Sequence, residues 1–383
     1  ARAGLGTLSG AATFVLFVVL VVTVVVNASF GLFPAFFTAL VSGVFLVALV
    51  RKDRHGVSLI QRIGEVVMFH RARRKGLTLY RSGPAGKSPW GTCQLPGVLA
   101  STRLGEFADS WDRRFAVLAM PAVGSYAIVL GCQPDGASLV DQDQIDLWVA
   151  RWGMWLADLG QEHGLVGAQA VVETTPDTGT RLRQEIQANL VEDAPEVARK
   201  VAGEVEMIYP SGTASVQVYI ALTYQAAPRL GAKRRAMEEF GADMASRIPG
   251  LTASLAGTGA GIVRPLTAGE VRRVVRTAYD PASQALFDAA DLSGQTVDLS
   301  WAECGPAGHD VLRDRYYHDS GVSMTWMMTQ APKGQVQSDL LARLLAPQKE
   351  IWRKRVALMY RPVDVARAAE IVESDVNAAR ARA

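Results

Sequence analysis

Two long apolar runs, separated by only three residues, constrain this chain more than any other feature. Leu8 to Val26 reads LSGAATFVLFVVLVVTVVV and Phe30 to Val50 reads FGLFPAFFTALVSGVFLVALV, with no charge in either. A helix that crosses a hydrocarbon core needs about 20 apolar residues. Leu, Ile, Phe and Val each favour insertion by roughly 0.3–0.6 kcal/mol at a helix centre. The expectation is a two-helix transmembrane hairpin, with Asn27-Ala28-Ser29 as a tight external turn. A signal peptide is the rival for the first run. It fits poorly, because such regions usually hold about 7–15 apolar residues and are not followed at once by a second run. A buried core hairpin would show a polar edge, and neither run has one.

Charge gives the orientation. Arg51, Lys52, Arg54 and Arg62 follow the second run, then Arg71, Arg73, Arg74 and Lys75, whereas the inter-run loop is uncharged. The positive-inside rule puts the basic flank in the cytoplasm. The expected location is therefore the inner cell membrane, with two spans and both termini cytoplasmic.

The remaining residues are enough for two or three compact units. A net charge of +3 over 383 residues argues against general nucleic-acid binding, so no direct nucleic-acid contact is expected. Cys93, Cys132 and Cys304 are odd in number and widely spaced. That suits a reducing compartment and supplies neither a disulfide framework nor a metal site.

Between the runs and the body, Val57, Leu59, Ile60, Ile63, Val66, Val67 and Phe69 recur at helical spacing, and the segment ends in a basic cluster. Basic side chains suit the C-terminal end of a helix dipole. Arg71, Arg73, Arg74 and Lys75 are candidate contacts for an anionic bilayer, the alternative being a solvated helix end. In the second run Ala35, Ala39 and Gly43 lie four apart. Such a small-residue ridge admits a neighbouring helix closely, with the first run as the nearest neighbour and a partner subunit as the next.

The body reads as α+β with ferredoxin-like β-α-β character. The divisions are a hairpin at 1–50, a basic helix at 51–82, a linker at 83–92, α+β units at 93–194 and 195–362, and a terminal helix at 363–383. Ile145, Trp148, Trp152, Trp155 and Leu159 share one face of a helix. Trp148, Trp152 and Trp155 are either core or a partner-binding face, since tryptophan is enriched at binding hot spots. Thr267-Ala-Gly-Glu270 forms a capping box ahead of another helix.

Motifs for chemistry are weak. Gly83-Pro-Ala-Gly86-Lys87-Ser88 lacks the spacing of a phosphate loop. Gly257-Thr-Gly259-Ala-Gly261 lacks that of a dinucleotide fingerprint and suits a turn or bulge better. His309, Asp310, Asp314, His318 and Asp319 are dense enough to suggest donors on a helix face, against a solvated surface interleaved with Arg313 and Arg315. No catalytic residue, cofactor or metal is assigned.

The order of features resembles an actinobacterial two-span membrane protein family associated with conjugative, type IV secretion-like systems. The body is similar to the N-terminal domain of type IV secretion ATPases. The residues carrying this are Leu95-Pro96-Gly97, the helix after Asp143, Pro265-Leu266-Thr267, Tyr279-Asp280-Pro281, Asp319-Ser320-Gly321-Val322 and Tyr360-Arg361-Pro362-Val363. The resemblance implies a non-catalytic inner-membrane platform that docks a motor ATPase and other membrane subunits of one machine, as a homo- or hetero-oligomer. Walker motifs of such ATPases are absent from the sequence. The alternatives are an EccE-type component of type VII secretion and a membrane-anchored enzyme.

Overall fold

A computed structural model describes residues 10–50, 59–82, 95–134, 136, 139–177, 179–191, 193–208, 214–227, 233–328, 340–346, 348, 350–363 and 365–380. The 83–92 linker, Cys93, Arg51, Lys52, Arg54 and the side chain of Ala35 lie outside the described residues.

In chain order the elements are α1 (Gly10–Phe30), α2 (Leu32–Val50), α3 (Leu59–Arg74), β1 (Leu79–Arg81), β2 (Arg103–Ala108), β3 (Arg114–Met120), β4 (Ser125–Gln133) and α4 (Gln142–Gln161). There follow β5 (Leu165–Pro176), α5 (Thr180–Asn189), α6 (Glu196–Ile208), β6 (Ala214–Gln225), α7 (Met237–Leu255), β7 (Ile262–Pro265), α8 (Ala268–Tyr279) and α9 (Ser283–Leu292). The last are β8 (Gly308–Val311), β9 (Tyr316–His318), β10 (Gly321–Ser323), α10 (Leu340–Leu345), β11 (Lys354–Tyr360) and α11 (Val365–Arg380). They form two compact units. The first comprises Ala1–Arg81, Gly308–Tyr317 and Val322–Val336; the second comprises Ser82–Ala307, His318–Gly321 and Gln337–Ala383.

The first unit opens with α1 and α2. Asn27, Ala28 and Ser29 are not the expected loop but the last turn of α1. The chain reverses at Gly31, whose φ of +87° needs a residue without a Cβ. Its N–H donates to the Asn27 carbonyl at 3.1 Å. Among the described residues no helix is long and apolar enough to cross a membrane. This corrects the transmembrane hairpin and the two-span inner-membrane location expected from the sequence. The last turn of α1 carries the polar Asn27 and Ser29 inside the helix, so the helix does not coincide with the apolar run read from the sequence. Later in the same unit α3 closes at Gly76, whose N–H bonds the Arg73 carbonyl. There β1 pairs with β8 antiparallel, Tyr80 opposite His309.

The second unit is built on a seven-stranded sheet with order β11-β5-β6-β4-β3-β2, and with β7 also on β4. Every pairing within it is antiparallel. The path β4–α4–β5 leaves β6 between its two strands, and β6–α7–β7 leaves β4 between its own. These are two interleaved split β-α-β units in spatial order β7-β4-β6-β5, the ferredoxin-like arrangement. Because β5 and β6 pair from Leu165 to Pro176, the boundary expected near residue 195 is corrected. It would cut one sheet in two.

Strand alternation explains the layering. Tyr126, Ile128, Leu130 and Cys132 of β4 point to one face, with Ile220, Leu222 and Tyr224 of β6 beside them. Against them pack Trp155 and Leu159 of α4 and Phe240, Met244, Ile248 and Leu255 of α7. Residues on the other face, including Ala116, Val129 and Tyr219, meet Leu266, Ala268 and Val271 at the start of α8. The capping box is present: the Thr267 hydroxyl accepts the Glu270 N–H, and the Glu270 carboxylate accepts the Thr267 N–H. The chain over 253–263 ends α7 and turns through a wide helical loop into β7, and β10 stops at Ser323.

Candidate functional site

The tryptophan face is packed against the body, with Trp155 buried and Trp148 and Trp152 half-buried. Trp155 is 3 % exposed and stacks on Trp152 at 5.2 Å, which meets Tyr360 of β11 edge-on at 6.0 Å. Trp148 covers Gly259: a Cβ there would lie 2.8 Å from the indole. Gly259 and Gly261 therefore serve packing and turning. Gly261, at φ +65°, passes so close to the strand that a Cβ would sit 1.8 Å from the Gln133 carbonyl oxygen.

The small-residue ridge of α2 has a different place from the expected one. Ala39 and Gly43 are exposed, and nothing lies within 4 Å of a Cβ built on Gly43. They do not form the α1–α2 contact. Arg71, Arg73, Arg74 and Lys75 are all exposed at the end of α3, so this basic cluster is open to an anionic partner.

The histidine and aspartate patch lies on strands and a turn, not on a helix. No group of three or more potential metal ligands comes together among the described residues. In the second unit the turn after β9 is locked to the end of α8. The His318 Nδ1 is 2.5 Å from the Tyr279 carbonyl; an oxygen there can only accept, so Nδ1 carries the proton. Ser320 donates to Asp280 at 2.5 Å and accepts the Ala282 N–H at 3.0 Å. The hydroxyl thus makes one donated and one accepted hydrogen bond within the turn. Arg276 joins Asp280 at 2.8 Å and Asp319 at 3.0 Å, and donates to the Gly305 carbonyl. Asp319 also accepts the Ala307 N–H and holds φ at +33°, unusual for a residue other than glycine. This arrangement fixes a turn.

His309, in the first unit, is stacked on Tyr80 at 5.5 Å. The thiols of Cys132 and Cys304 are buried, which pushes them up to about 11 and about 12. They remain protonated near neutrality and are poor nucleophiles.

What the first unit does present is apolar surface. Beyond β10 the run Met324-Thr325-Trp326-Met327-Met328 is exposed along its whole length. Trp326 is 82 % exposed, and Met327 and Met328 are 75 and 68 % exposed. Methionine side chains adapt to irregular partner surfaces, and an exposed tryptophan is the side chain most often found at the centre of a binding patch. Sequence reasoning missed this run, because its residues also suit a half-buried strand.

A family model described as a domain of unknown function (DUF8461) matches residues 1–61. That is the region of α1, α2 and the start of α3. No curated protein and no solved structure matches the chain.

Proposed function

We propose that the chain acts through contacts rather than through chemistry of its own, as a docking subunit of a conjugation or secretion machine that receives a motor ATPase. The observation that carries this is the exposed Met324–Met328 run, with Trp326 at its centre. A row of large apolar side chains costs solubility unless a partner covers it. The resemblance in the order of body motifs supplies the class of partner, a Walker-containing ATPase. The buried, protonated thiols of Cys132 and Cys304 favour this reading over an anchored enzyme.

The test is a pull-down of the tagged full-length protein from its native host in mild detergent, with mass spectrometry of what accompanies it. Recovery of a Walker-containing ATPase from wild type, and its loss from a Trp326→Ala, Met327→Ala variant, is the expected result. A type VII set of partners would replace the conjugation reading. Recovery of the ATPase in equal amount by the variant would show that the 324–328 run is not the docking surface. Recovery of the protein alone, under conditions that preserve other complexes, would overturn the docking reading.

A further inference from the structure

Helix α6 carries an exposed apolar line of its own. Val197, Val201 and Val205 recur at every fourth residue and are 73, 52 and 39 % exposed; Ile208 continues the line. At 3.6 residues per turn these positions form one stripe. The side of α6 that meets its neighbour is another one. There Ala202 and Glu206 are half-buried, and Glu206 takes Arg183 of α5 at 3.5 Å.

The two flanks of the stripe differ. Lys200 and Glu204, each one position before a stripe valine, border it on one side and are exposed. Ala198 and Ala202 border it on the other. Two copies of a helix related by a two-fold axis perpendicular to it run antiparallel, and each flank then meets the same flank of the other copy. With the axis beside Ala202, Lys200 faces Glu204 of the partner subunit, and Glu204 faces Lys200 of the partner subunit. A parallel pair would set the charged flank against alanines and match no charges. The charge order thus favours self-pairing in one orientation.

We propose that α6 is a homotypic contact, through which two copies of this chain pair antiparallel on the Val197–Val201–Val205 stripe. One short helix pair buries less than the roughly 1,600 Å² of a standard interface. The contact is therefore weak alone and gains strength when other surfaces already hold copies together. It stands independently of the motor-docking reading.

The test is the self-association of the full-length protein in mild detergent, followed by sedimentation equilibrium over a concentration series. Val201→Asp should weaken it by about tenfold or more, as for a central contact residue. Lys200→Glu and Glu204→Lys should each weaken it several-fold, by placing like charges opposite each other. The double variant K200E/E204K restores the match and should return to within about twofold of wild type. That rescue separates loss of pairing from loss of fold. A wild type that stays monomeric, a Val201→Asp variant that associates normally, or a double variant as weak as the singles would each overturn the proposal. If Val201→Asp spares self-association but removes another protein that co-purifies, the stripe serves that partner and homotypic pairing fails.

Discussion

Arg355 on the edge strand β11 donates through Nε to the buried Glu173 of β5 at 2.7 Å, directly opposite it in the ladder. Arg353, two residues earlier, approaches the other carboxylate oxygen at 3.4 Å and donates to the Thr277 hydroxyl of α8. One carboxylate thus ties the edge strand to the sheet and to a helix on its face. Burial lowers the affinity of Arg353 for its proton, and Glu173 opposes that effect.

Replacing Glu173 with Gln leaves two guanidinium groups without their counter-charge. Breaking a buried pair from one side costs about 3 kcal/mol or more. Chemical denaturation should show a loss of that order, with β11 gaining amide exchange first. A change below about 0.5 kcal/mol, the range of ordinary surface substitutions, would mean that the pair is solvated and incidental.

Gly261→Ala should be among the most damaging small substitutions in the chain. Its Cβ would collide with backbone at Gln133, not with a side chain that can swing away. Its φ is also in a region that L-residues avoid. A loss of about 3 kcal/mol follows from overpacking and strain together, read as a lowered thermal midpoint. A variant of unchanged stability would contradict the close passage of β7 against the end of β4.

The cap of α8 gives a smaller, cleaner effect. Thr267→Ala removes one half of the capping box and should cost about 1 kcal/mol. Burial tends to raise the Glu270 carboxyl, but bonds from Arg264 and Thr267 outweigh it and hold the group below its ordinary 4.5. A depressed carboxyl lends stability that is present above the unfolded value and lost as pH falls through the folded one. Acid titration of stability should therefore be shallower in Glu270→Gln below pH 4.5. Identical acid limbs for variant and wild type would refute this role.

His309 should make the first unit sensitive to mild acid. Burial, and then the nearby Arg81, lower its pKa below the ordinary 6.5, against a smaller opposing effect of Asp310. The folded form thus holds the imidazole neutral, and its contribution is complete above pH 6.5. It is lost as pH falls from there through the lower folded pKa. Thermal melts should show a midpoint declining between pH 7 and 5, with a shallower decline in His309→Gln. Direct NMR titration of the ring checks the same point, and a pKa above 6.5 would rule the account out.

Much of the second unit is legible locally. The alternation of Tyr126, Ile128 and Leu130, the tryptophan stripe of α4 and the Thr267–Glu270 box all announce their elements before any fold is known. The interleaving of β4, β5, β6 and β7 has no such signal, and a boundary drawn at residue 195 accordingly cuts through it. Nor does spacing along the chain reveal that Glu173 meets Arg355, since the two are joined only when β11 adds to β5. His309 and His318 are near neighbours in sequence. One stacks on Tyr80 and the other bonds the Tyr279 carbonyl, so their density never becomes a ligand set.

The sequence alone determined elements such as α4 and the start of α8, because periodicity and caps act within a few residues of one another. It determined that the apolar stretch is helical, as it is over Gly10–Phe30 and Leu32–Val50, but not that it crosses a membrane. That expectation took Asn27–Ser29 for a loop, whereas the chain stays helical to Phe30 and reverses at Gly31. Tertiary structure alone decided the strand order, the burial of Trp155, the hydrogen bonds of Ser320 and the exposure of Trp326 and of the α6 stripe. These depend on contacts between segments distant in the chain. Such contacts are fixed by the competition of whole surfaces for burial and hydrogen bonding, which no local pattern records.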